Sequence, residues 1–259
     1  MYTGLYTAAS GSVAQEKRLD ILTNNLANVN TAGFKFDQTI FHGVPGANVI
    51  GEVVVADGAP PVLSSVDPLM NLHTPHQPNV TMHTDFSQGV VRETGNPLDV
   101  ALEGRGFFVI EDTNGEVAYT RQGTFTINRD GLLVTLNGLL VQGEGGPVRV
   151  DGGRVAIDAS GHVLVDGVFR DQLRVVDFAQ PYPLEKMGDA QFRPVVPNLA
   201  PEPATDVTVR QGAVELSNSP MVRLLGAIIQ TSRAYEAYQR VIQVFDDTAS
   251  RAVNDIART

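Results

Sequence analysis

The sequence predicts an α+β protein in which long N- and C-terminal helices form a coiled-coil-like pair and an antiparallel β-rich body is inserted between them. All fifteen prolines lie between Pro45 and Pro220. Both ends of the chain are therefore free to form long helices, because a proline inside a helix costs about 3 kcal/mol. Between the ends, short apolar runs rich in β-branched and aromatic residues alternate with turn dipeptides, which is typical of antiparallel strands.

The N-terminal segment has the spacing of one face of a coiled-coil helix. Its face positions recur every three or four residues, and six of the eight are apolar: Leu5, Ala8, Ser12, Gln15, Leu19, Leu22, Leu26 and Val29. Thr3 can cap the start, and Gly33 can take the left-handed conformation beyond the end. The pattern predicts a helix of about 26 residues and roughly 40 Å.

The C-terminal segment has a stronger pattern of the same kind. Nine of its ten face positions are apolar: Leu224, Ile228, Thr231, Tyr235, Tyr238, Ile242, Phe245, Ala249, Ala252 and Ile256. A neighbouring row that starts at Met221 and Leu225 is nearly as apolar, so the predicted band is wide and suits more than one partner helix. Ser217 or Ser219 can cap this helix, with Pro220 in its first turn. We expect about 38 residues, which span roughly 57 Å.

Two arrangements of these helices are consistent with the pattern. Both helices could fold onto the middle of their own chain. The alternative is that they pair with each other and then with copies of the same chain. The second is favoured, because a helix this long would overhang a compact body of this size.

The domain organisation follows from these patterns. We expect residues 1–35 and 211–259 to form a terminal-helix assembly domain, residues 36–80 an irregular linker, and residues 81–210 the β-rich body. Prolines and glycines are frequent in the linker. Residues 179–205 hold six prolines and are also predicted to be irregular.

The predicted strands of the body are short and closely spaced. Turn dipeptides, among them Asn114-Gly115, Asn137-Gly138 and Asp166-Gly167, separate several of them. This spacing favours an antiparallel sandwich or barrel-like body. The predicted strand runs are residues 98–102, 107–110, 117–121, 125–128, 132–136, 139–142, 155–158, 162–165 and 173–178.

Composition narrows the possible functions. The formal net charge is −10, and both ends are close to neutral, so the negative charge lies in the middle of the chain. An acidic chain of this kind argues against nucleic acid as a partner. The absence of cysteine excludes disulfides and thiolate chemistry.

No apolar run is long enough for a membrane-spanning helix, so we expect no membrane insertion. The first residues lack the features of a cleaved secretory signal.

The sequence gives no positive indication of catalysis. His73, His76 and His83 lie near one another, but Pro75 and Pro78 rule out a helix that would fix a metal geometry. No phosphate-binding loop or nucleophile elbow is complete. We therefore expect no enzyme activity, cofactor or metal. Two other classes stay open: a metal-dependent hydrolase that uses these histidines, and a secreted β-sheet binding module such as an adhesin.

An asparagine-rich segment follows the first predicted helix. Four asparagines occur within eight residues between Thr23 and Lys35, although asparagine is a poor helix former. Leu22, Leu26 and Val29 occupy the apolar face, so the asparagines project elsewhere, where their amides can bond to neighbouring backbones. The segment from Thr23 to Lys35 resembles the signature of bacterial flagellar basal-body rod and hook proteins.

Other segments carry the same resemblance over essentially the whole chain, most weakly at residues 38–80. Those similar to the family are residues 95–108, 118–125, 209–218 and 233–236. Residues 173–178, 184–188 and 192–193 most resemble the proximal-rod branch (FlgF type). The distal-rod branch (FlgG type) and the hook subunits are the alternatives.

This resemblance implies a structural subunit rather than an enzyme. In the family, terminal helices form the inner tube of the rod, the drive shaft that crosses the periplasm, and the β bodies lie outside. It implies export by the flagellar type III apparatus without a cleaved signal. The implied partners are copies of the chain, other flagellar axial (rod) proteins and the flagellar export apparatus.

We expect two sets of assembly residues. The N-terminal set is Leu5, Leu19, Leu22, Asn24, Asn25, Leu26, Asn28 and Val29. The C-terminal set is Leu224, Ile228, Tyr235, Tyr238, Ile242, Phe245 and Ile256.

Overall fold

A computed structural model of the chain describes residues 2–43, 78–112, 114–196 and 199–256. The chain divides into two compact units. The helical unit comprises the described parts of residues 1–24, 37–83 and 222–259, and the body unit comprises those of residues 25–36 and 84–221.

The two terminal helices are present, as predicted. Helix α1 spans Tyr2–Ala27 and helix α2 spans Met221–Ile256. After α1 the chain continues in turns, in which Val29 N donates to Leu26 O and Thr31 N donates to Asn28 O. Gly33 lies six residues beyond the helix end, so it does not terminate the helix directly. It takes a φ of 69°, and an added Cβ would lie 2.3 Å from the backbone N of Gln122. Close backbone approach within the body unit therefore requires this glycine.

Two strands lie at the ends of the region predicted to be an irregular linker. Strand β1 spans Phe36–Gly43, strand β2 spans Pro78–Asp85, and the two form a separate two-stranded sheet. Aromatic and β-branched residues recur along β1, which favours an extended backbone. The rest of the linker, residues 44–77, lies outside the described residues.

The body unit is built from short antiparallel strands, as the turn spacing predicts. They are β3 (Val91–Glu93), β4 (Val100–Gly104), β5 (Phe107–Glu111), β6 (Val117–Thr120), β7 (Phe125–Ile127), β8 (Leu133–Thr135), β9 (Leu140–Gly143), β10 (Gly146–Pro147), β11 (Val155–Ile157), β12 (His162–Val165), β13 (Val168–Gln172), β14 (Val175–Asp177), β15 (Leu184–Gly188), β16 (Gln191–Pro194), β17 (Glu202–Pro203), β18 (Val207–Gln211) and β19 (Ala213–Glu215). Strands β15, β16 and β17 lie within residues 179–205, so the prediction that this proline-rich stretch is irregular is wrong there.

A ten-stranded sheet forms the main part of the body unit. Its central order is β15-β16-β6-β5-β9-β8-β7, with β10, β14 and β17 attached to it. Strands β11, β12 and β13 form a three-stranded sheet, and the pairs β4–β18 and β3–β19 complete the unit. The last two pairs join strands more than a hundred residues apart, so the end of the body returns to its beginning.

Two apolar cores lie within the body unit. Phe108, Val141 and Val163 are fully buried in the larger one, which joins the main sheet to the three-stranded sheet. The smaller core is aromatic and contains Phe107 and Phe192, with ring centroids 5.8 Å apart. Phe107 and Phe108 enter different cores because successive side chains of a strand point to opposite faces.

Candidate functional site

Glycines of α1 lie against aromatic rings of α2 in the helical unit. An added Cβ at Gly4 would lie 2.9 Å from Cζ of Phe245, and one at Gly11 would lie 2.6 Å from Cε1 of Tyr238. The two glycines are seven positions apart in α1, and the two aromatic residues are seven positions apart in α2. Their order is reversed, because the earlier glycine lies against the later ring. The two helices therefore pack antiparallel, with a heptad repeat in both.

A polar contact supports this register. Gln239 Nε2 donates to Ser12 Oγ at 3.1 Å, and Ser12 is buried. Ser12 lies one residue beyond Gly11, and Gln239 one residue beyond Tyr238. The hydrogen bond thus satisfies a polar side chain at the helix–helix contact, which would be costly to bury alone.

The predicted N-terminal residues are distributed over both units. In the helical unit, Leu22 is buried, Leu5 and Leu19 are half-buried and Asn24 is exposed. Residues 25–36 belong to the body unit. There Asn25 is fully buried, whereas Leu26, Asn28 and Val29 are half-buried: Leu26 is in the last turn of α1, and Asn28 and Val29 lie in the turns after it.

The predicted C-terminal residues mark the less exposed face of α2. Leu224 is buried, and the half-buried positions that follow it are Ile228, Tyr235, Tyr238, Ile242 and Phe245. The side chain of Ile256 lies outside the described residues. The second predicted row is more exposed at its start than the first row, since Met221 and Leu225 are 52% and 43% exposed. Within one chain, the covered band of α2 is therefore narrower than its apolar band.

Further large apolar side chains are exposed elsewhere on α2. They lie at Val222, Ile229, Val241, Val244 and Val253. Val222 and Val244 are 84% and 63% exposed. Val222, Ile229 and Val244 share one face of the helix, because they are seven and fifteen residues apart. An exposed apolar patch of this kind usually marks a surface that contacts another molecule.

A buried charge cluster lies in the body unit. Lys35 Nζ approaches Glu215 Oε1 at 2.6 Å, and Arg121 Nη1 approaches Glu215 Oε2 at 3.3 Å. All three side chains are at most 4% exposed. The backbone N of Gly89 also donates to Glu215, and Lys35 donates to the carbonyl of Ser87 at 2.8 Å. Two cations therefore share one carboxylate in a site away from water.

This burial changes the acid–base properties of both cations. Burial lowers the pKa of Lys35, and the nearby Glu215 carboxylate partly offsets that effect. Burial also lowers the pKa of Arg121, again opposed by Glu215. The Arg121 guanidinium lies 5.3 Å from the centre of the Phe107 ring, and it donates to the Gly104 carbonyl at 2.8 Å. The cluster joins the segment after α1 to the end of β4, to the residue that follows β6 and to β19.

The sequence alone does not indicate this cluster. Each of its members lies in a segment that was singled out for its resemblance to the flagellar family: Lys35 in residues 23–35, Arg121 in residues 118–125 and Glu215 in residues 209–218. A single sequence cannot pair charges that are 94 and 180 positions apart. The sequence shows only that each of these three segments contains a charged residue.

The alternative of a metal site rests on three histidines, of which the structure describes one. In the described ranges, no group of three or more histidine, aspartate or glutamate side chains is arranged to hold a metal ion. Of the three candidate histidines, His73 and His76 lie outside the described residues, and His83 is in β2. No helix in the part of the chain that the structure describes is long and apolar enough to cross a membrane.

Three family models match three successive parts of the chain. The model described as flagella basal body rod protein matches residues 5–35. The flagellar hook protein FlgE/F/G D1 domain matches residues 101–165, and the flagellar basal body rod FlgEFG protein C-terminal model matches residues 210–255. The matches therefore cover most of α1, part of the body and most of α2.

Relatives of the chain are similar over nearly their whole length. The flagellar basal-body rod protein FlgF of Caulobacter vibrioides is 33% identical, over 100% of this chain and 98% of the relative. The FlgG protein of Agrobacterium fabrum is 33% identical, over 95% and 96% of the two chains. The FlgG protein of Buchnera aphidicola subsp. Baizongia pistaciae is 32% identical over the same shares. The chain belongs to the flagellar basal-body rod protein family.

Proposed function

We propose that this protein is a structural, non-enzymatic subunit of the flagellar rod that assembles through its terminal helices. Copies of the chain and other axial proteins are its partners, and the assembled rod transmits torque. The observation that carries the proposal is the apolar surface of α2. One side of the helix packs on α1, while Ile229 and Val244 remain 55% and 63% exposed. A helix that is apolar beyond its intramolecular contact has surface for further helices.

The energetics of this surface favour polymerisation. Each exposed apolar side chain that enters an interface contributes about 25 cal/mol per Å² of area removed from water. An open-ended rod requires that the outer surface of α2 meet a different surface on the next copy, which is a heterologous contact. Contacts of this type continue into a tube or filament rather than closing as a dimer. Several such contacts per subunit reinforce one another.

We further propose a place and a route for the subunit. The resemblance of residues 173–178 and 184–188 to the proximal-rod branch favours the proximal rod (FlgF type), with the distal rod (FlgG type) as the alternative. The rod crosses the periplasm, so the chain must leave the cytoplasm, and we infer export by the flagellar export apparatus without a cleaved signal. Electron microscopy of basal bodies from a strain that lacks the chain tests the position. A structure that stops at the inner-membrane ring supports a proximal location, and one with a complete proximal rod contradicts it.

The assembly role is tested by two substitutions in adjacent residues of α2. Val244→Asp places a charge on the proposed contact surface, whereas Gln243→Asp places the same charge at a neighbouring exposed polar position. Both variants should fold like the native chain, because both positions are exposed. We expect Val244→Asp to reduce incorporation into basal bodies and motility by at least about tenfold, since burial of an unpaired charge opposes the contact. Gln243→Asp should retain both.

The readouts are the amount of protein in purified basal bodies, swimming in soft agar, and far-UV circular dichroism of the purified variants. Equal incorporation of the two variants would show that this part of α2 makes no assembly contact. Loss of helical signal in the Val244→Asp monomer would show that the residue acts in folding rather than in assembly.

A further inference from the structure

We propose that the α2 helices of neighbouring copies lie side by side, parallel and offset by about two heptads. The partner is a second copy of this chain. The pairs that the offset brings together are Val244 with Ile229, Asp247 with Arg233, and Arg251 with Glu236. This inference rests on the proposed function, because it uses the outer surface of α2, and it adds the occupant and the register of that contact.

One stripe of exposed side chains runs along the outer side of α2. Its members follow one another at steps of three or four residues, which keeps them on one side of a helix. They are Ile229, Arg233, Glu236, Arg240, Val244, Asp247 and Arg251, and all seven are exposed. The other described charged side chains of α2, those of Arg223 and Asp246, are exposed but lie at least about a quarter-turn from the centre of the stripe.

The two halves of the stripe carry the same pair of charges in opposite order. In the N-terminal half, a cation at Arg233 precedes an anion at Glu236. In the C-terminal half, an anion at Asp247 precedes a cation at Arg251. The matching positions are 14 and 15 residues apart, so a shift of about 22 Å along the helix axis places each charge beside its opposite. A parallel neighbour at this offset therefore meets complementary charges.

Apolar side chains indicate the same offset independently. Ile229 begins the N-terminal half and is 55% exposed, and Val244 begins the C-terminal half and is 63% exposed. They are 15 residues apart. The shift that pairs the charges therefore also brings Val244 of one copy against Ile229 of the next, where both leave water. Because the C-terminal half meets the N-terminal half, the contact is heterologous and continues from copy to copy.

The charges of the stripe are available to a neighbour. Within the described residues, Arg233, Asp247 and Arg251 form no ion pair in their own chain. Glu236 Oε2 lies 3.6 Å from Nη2 of Arg240, and the two side chains are 60% and 78% exposed. An exposed pair of this kind is weak and a carboxylate accepts several donors, so Glu236 can also bind Arg251 of a neighbour.

A parallel pair without the offset is disfavoured by charge. It places Arg233 beside Arg233 of the second copy, and Asp247 beside Asp247. Like charges that are brought together oppose binding. Charge therefore selects the offset arrangement over the arrangement in register.

An antiparallel pair also matches charges, and the apolar residues decide against it. Centred between Gln243 and Val244, it would form the pairs Asp247–Arg240 and Arg251–Glu236. Val244 would then lie beside the amide of Gln243, and Ile229 would extend past Ile256, the last residue of the other α2. Such a contact is isologous and closes after two copies, whereas the parallel offset can extend through a rod.

The test links cysteines in isolated basal bodies, since the full-length chain has none. A chain with both Ile229→Cys and Val244→Cys is mildly oxidised, and linked peptides are identified by mass spectrometry. We expect a ladder of covalent oligomers, because each copy uses its two cysteines on two different neighbours. The control combines Val222→Cys with Val244→Cys on the same face, and should give at least about fivefold less, because a disulfide needs Cα atoms within about 7 Å. A ladder no stronger than this control overturns the offset.

Val244→Cys alone separates the two directions. In the antiparallel pair the two Val244 positions are neighbours, so the single variant would form dimers. In the offset parallel pair they are about 22 Å apart, which a disulfide does not span. Dimers of Val244→Cys at the yield of the double variant overturn the parallel arrangement.

Charge inversion provides the second arm of the test. Asp247→Arg should lower incorporation into basal bodies by at least about fivefold, because it faces Arg233 of the next copy. Arg233→Asp in the same chain should restore incorporation. Asp246→Arg, the same change at the adjacent exposed position off the stripe, should retain it. Restoration by Arg240→Asp instead of Arg233→Asp overturns the parallel offset in favour of the antiparallel pair.

The outcomes separate this inference from the proposed function. Normal incorporation of Val244→Asp would remove the outer surface of α2 from assembly, and both claims with it. Loss of incorporation by Val244→Asp, together with no ladder from the double-cysteine chain, overturns the offset alone. A photo-crosslinking amino acid at residue 244 that links mainly to a different protein overturns the second copy as the occupant.

Discussion

Glu215 is the residue on which the electrostatic balance of the buried cluster depends. Its carboxylate contacts Lys35 and Arg121 and accepts a hydrogen bond from the Gly89 backbone. Charges removed from water are tolerated only when they are paired and hydrogen-bonded, and here one anion serves two cations. The sequence could indicate that these residues lie in distinctive segments. It could not show their association, which depends on the folding of distant strands.

Replacement of Glu215 by glutamine tests that balance. The amide keeps the shape but removes the charge, so two buried cations lose the carboxylate that both of them contact. We expect Glu215→Gln to lower the free energy of unfolding by about 3–5 kcal/mol. The matched control is Glu185→Gln, which removes an exposed carboxylate paired with Arg193 and should cost no more than about 1 kcal/mol. Urea unfolding measures both, and equal effects would show that the buried cluster does not contribute as argued.

At the scale of elements, the period of the helices was predictable but their contact surface was only partly so. The apolar spacing identified Leu22 and Leu224, which are both buried. It missed Gly4 and Gly11, because a pattern built on large apolar side chains does not register positions where a small residue admits a neighbouring ring. The rings themselves, Phe245 and Tyr238, belonged to the predicted row. Large residues on one helix and small ones on the other make one contact.

A pair of glycine substitutions separates helix propensity from packing. Gly11→Leu introduces a side chain where even an added Cβ would lie 2.6 Å from the Tyr238 ring, whereas nothing lies within 4 Å of a Cβ at Gly226 in α2. Leucine favours a helix over glycine by nearly 1 kcal/mol at either position. We expect Gly226→Leu to be neutral or stabilising and Gly11→Leu to cost about 1–3 kcal/mol through overpacking. Thermal unfolding followed by circular dichroism distinguishes them. Stabilisation by Gly11→Leu would contradict the antiparallel contact described above.

At the scale of the whole molecule, the order of helix, β-rich body and helix followed from where proline is absent and where turn dipeptides recur. The β15–β16 hairpin did not, since it lies in a stretch with many prolines. Strand β15 is at one end of the sheet order, and Pro194 is the last residue of β16. Proline is tolerated at such edge and terminal positions, because fewer backbone donors are needed there. Proline frequency alone therefore underestimates strand content at the edge of a sheet.

The inner and outer surfaces of α2 should differ in what their disruption does to the chain. Ile242 is half-buried in the row that faces α1, and Val244 is exposed. Ile242→Asp, like Leu22→Asp on α1, places a charge at the intramolecular contact. The helices of the monomer should then separate and become sensitive to protease, while the body unit stays folded on its own cores. Val244→Asp should leave the monomer protected and block only assembly.

Limited proteolysis of dilute monomers, followed by mass spectrometry, measures this difference. We expect cleavage within the terminal helices to be at least about tenfold faster in Ile242→Asp than in Val244→Asp, because a charge buried without a partner costs several kcal/mol. Both variants should fail to enter basal bodies, for two separate reasons: one has lost the helix pair, and the other has kept the pair but lost its outer contact. Normal motility of the Ile242→Asp strain would contradict a role of the paired helices in the rod. Equal protease sensitivity of the two monomers would contradict the assignment of inner and outer surfaces.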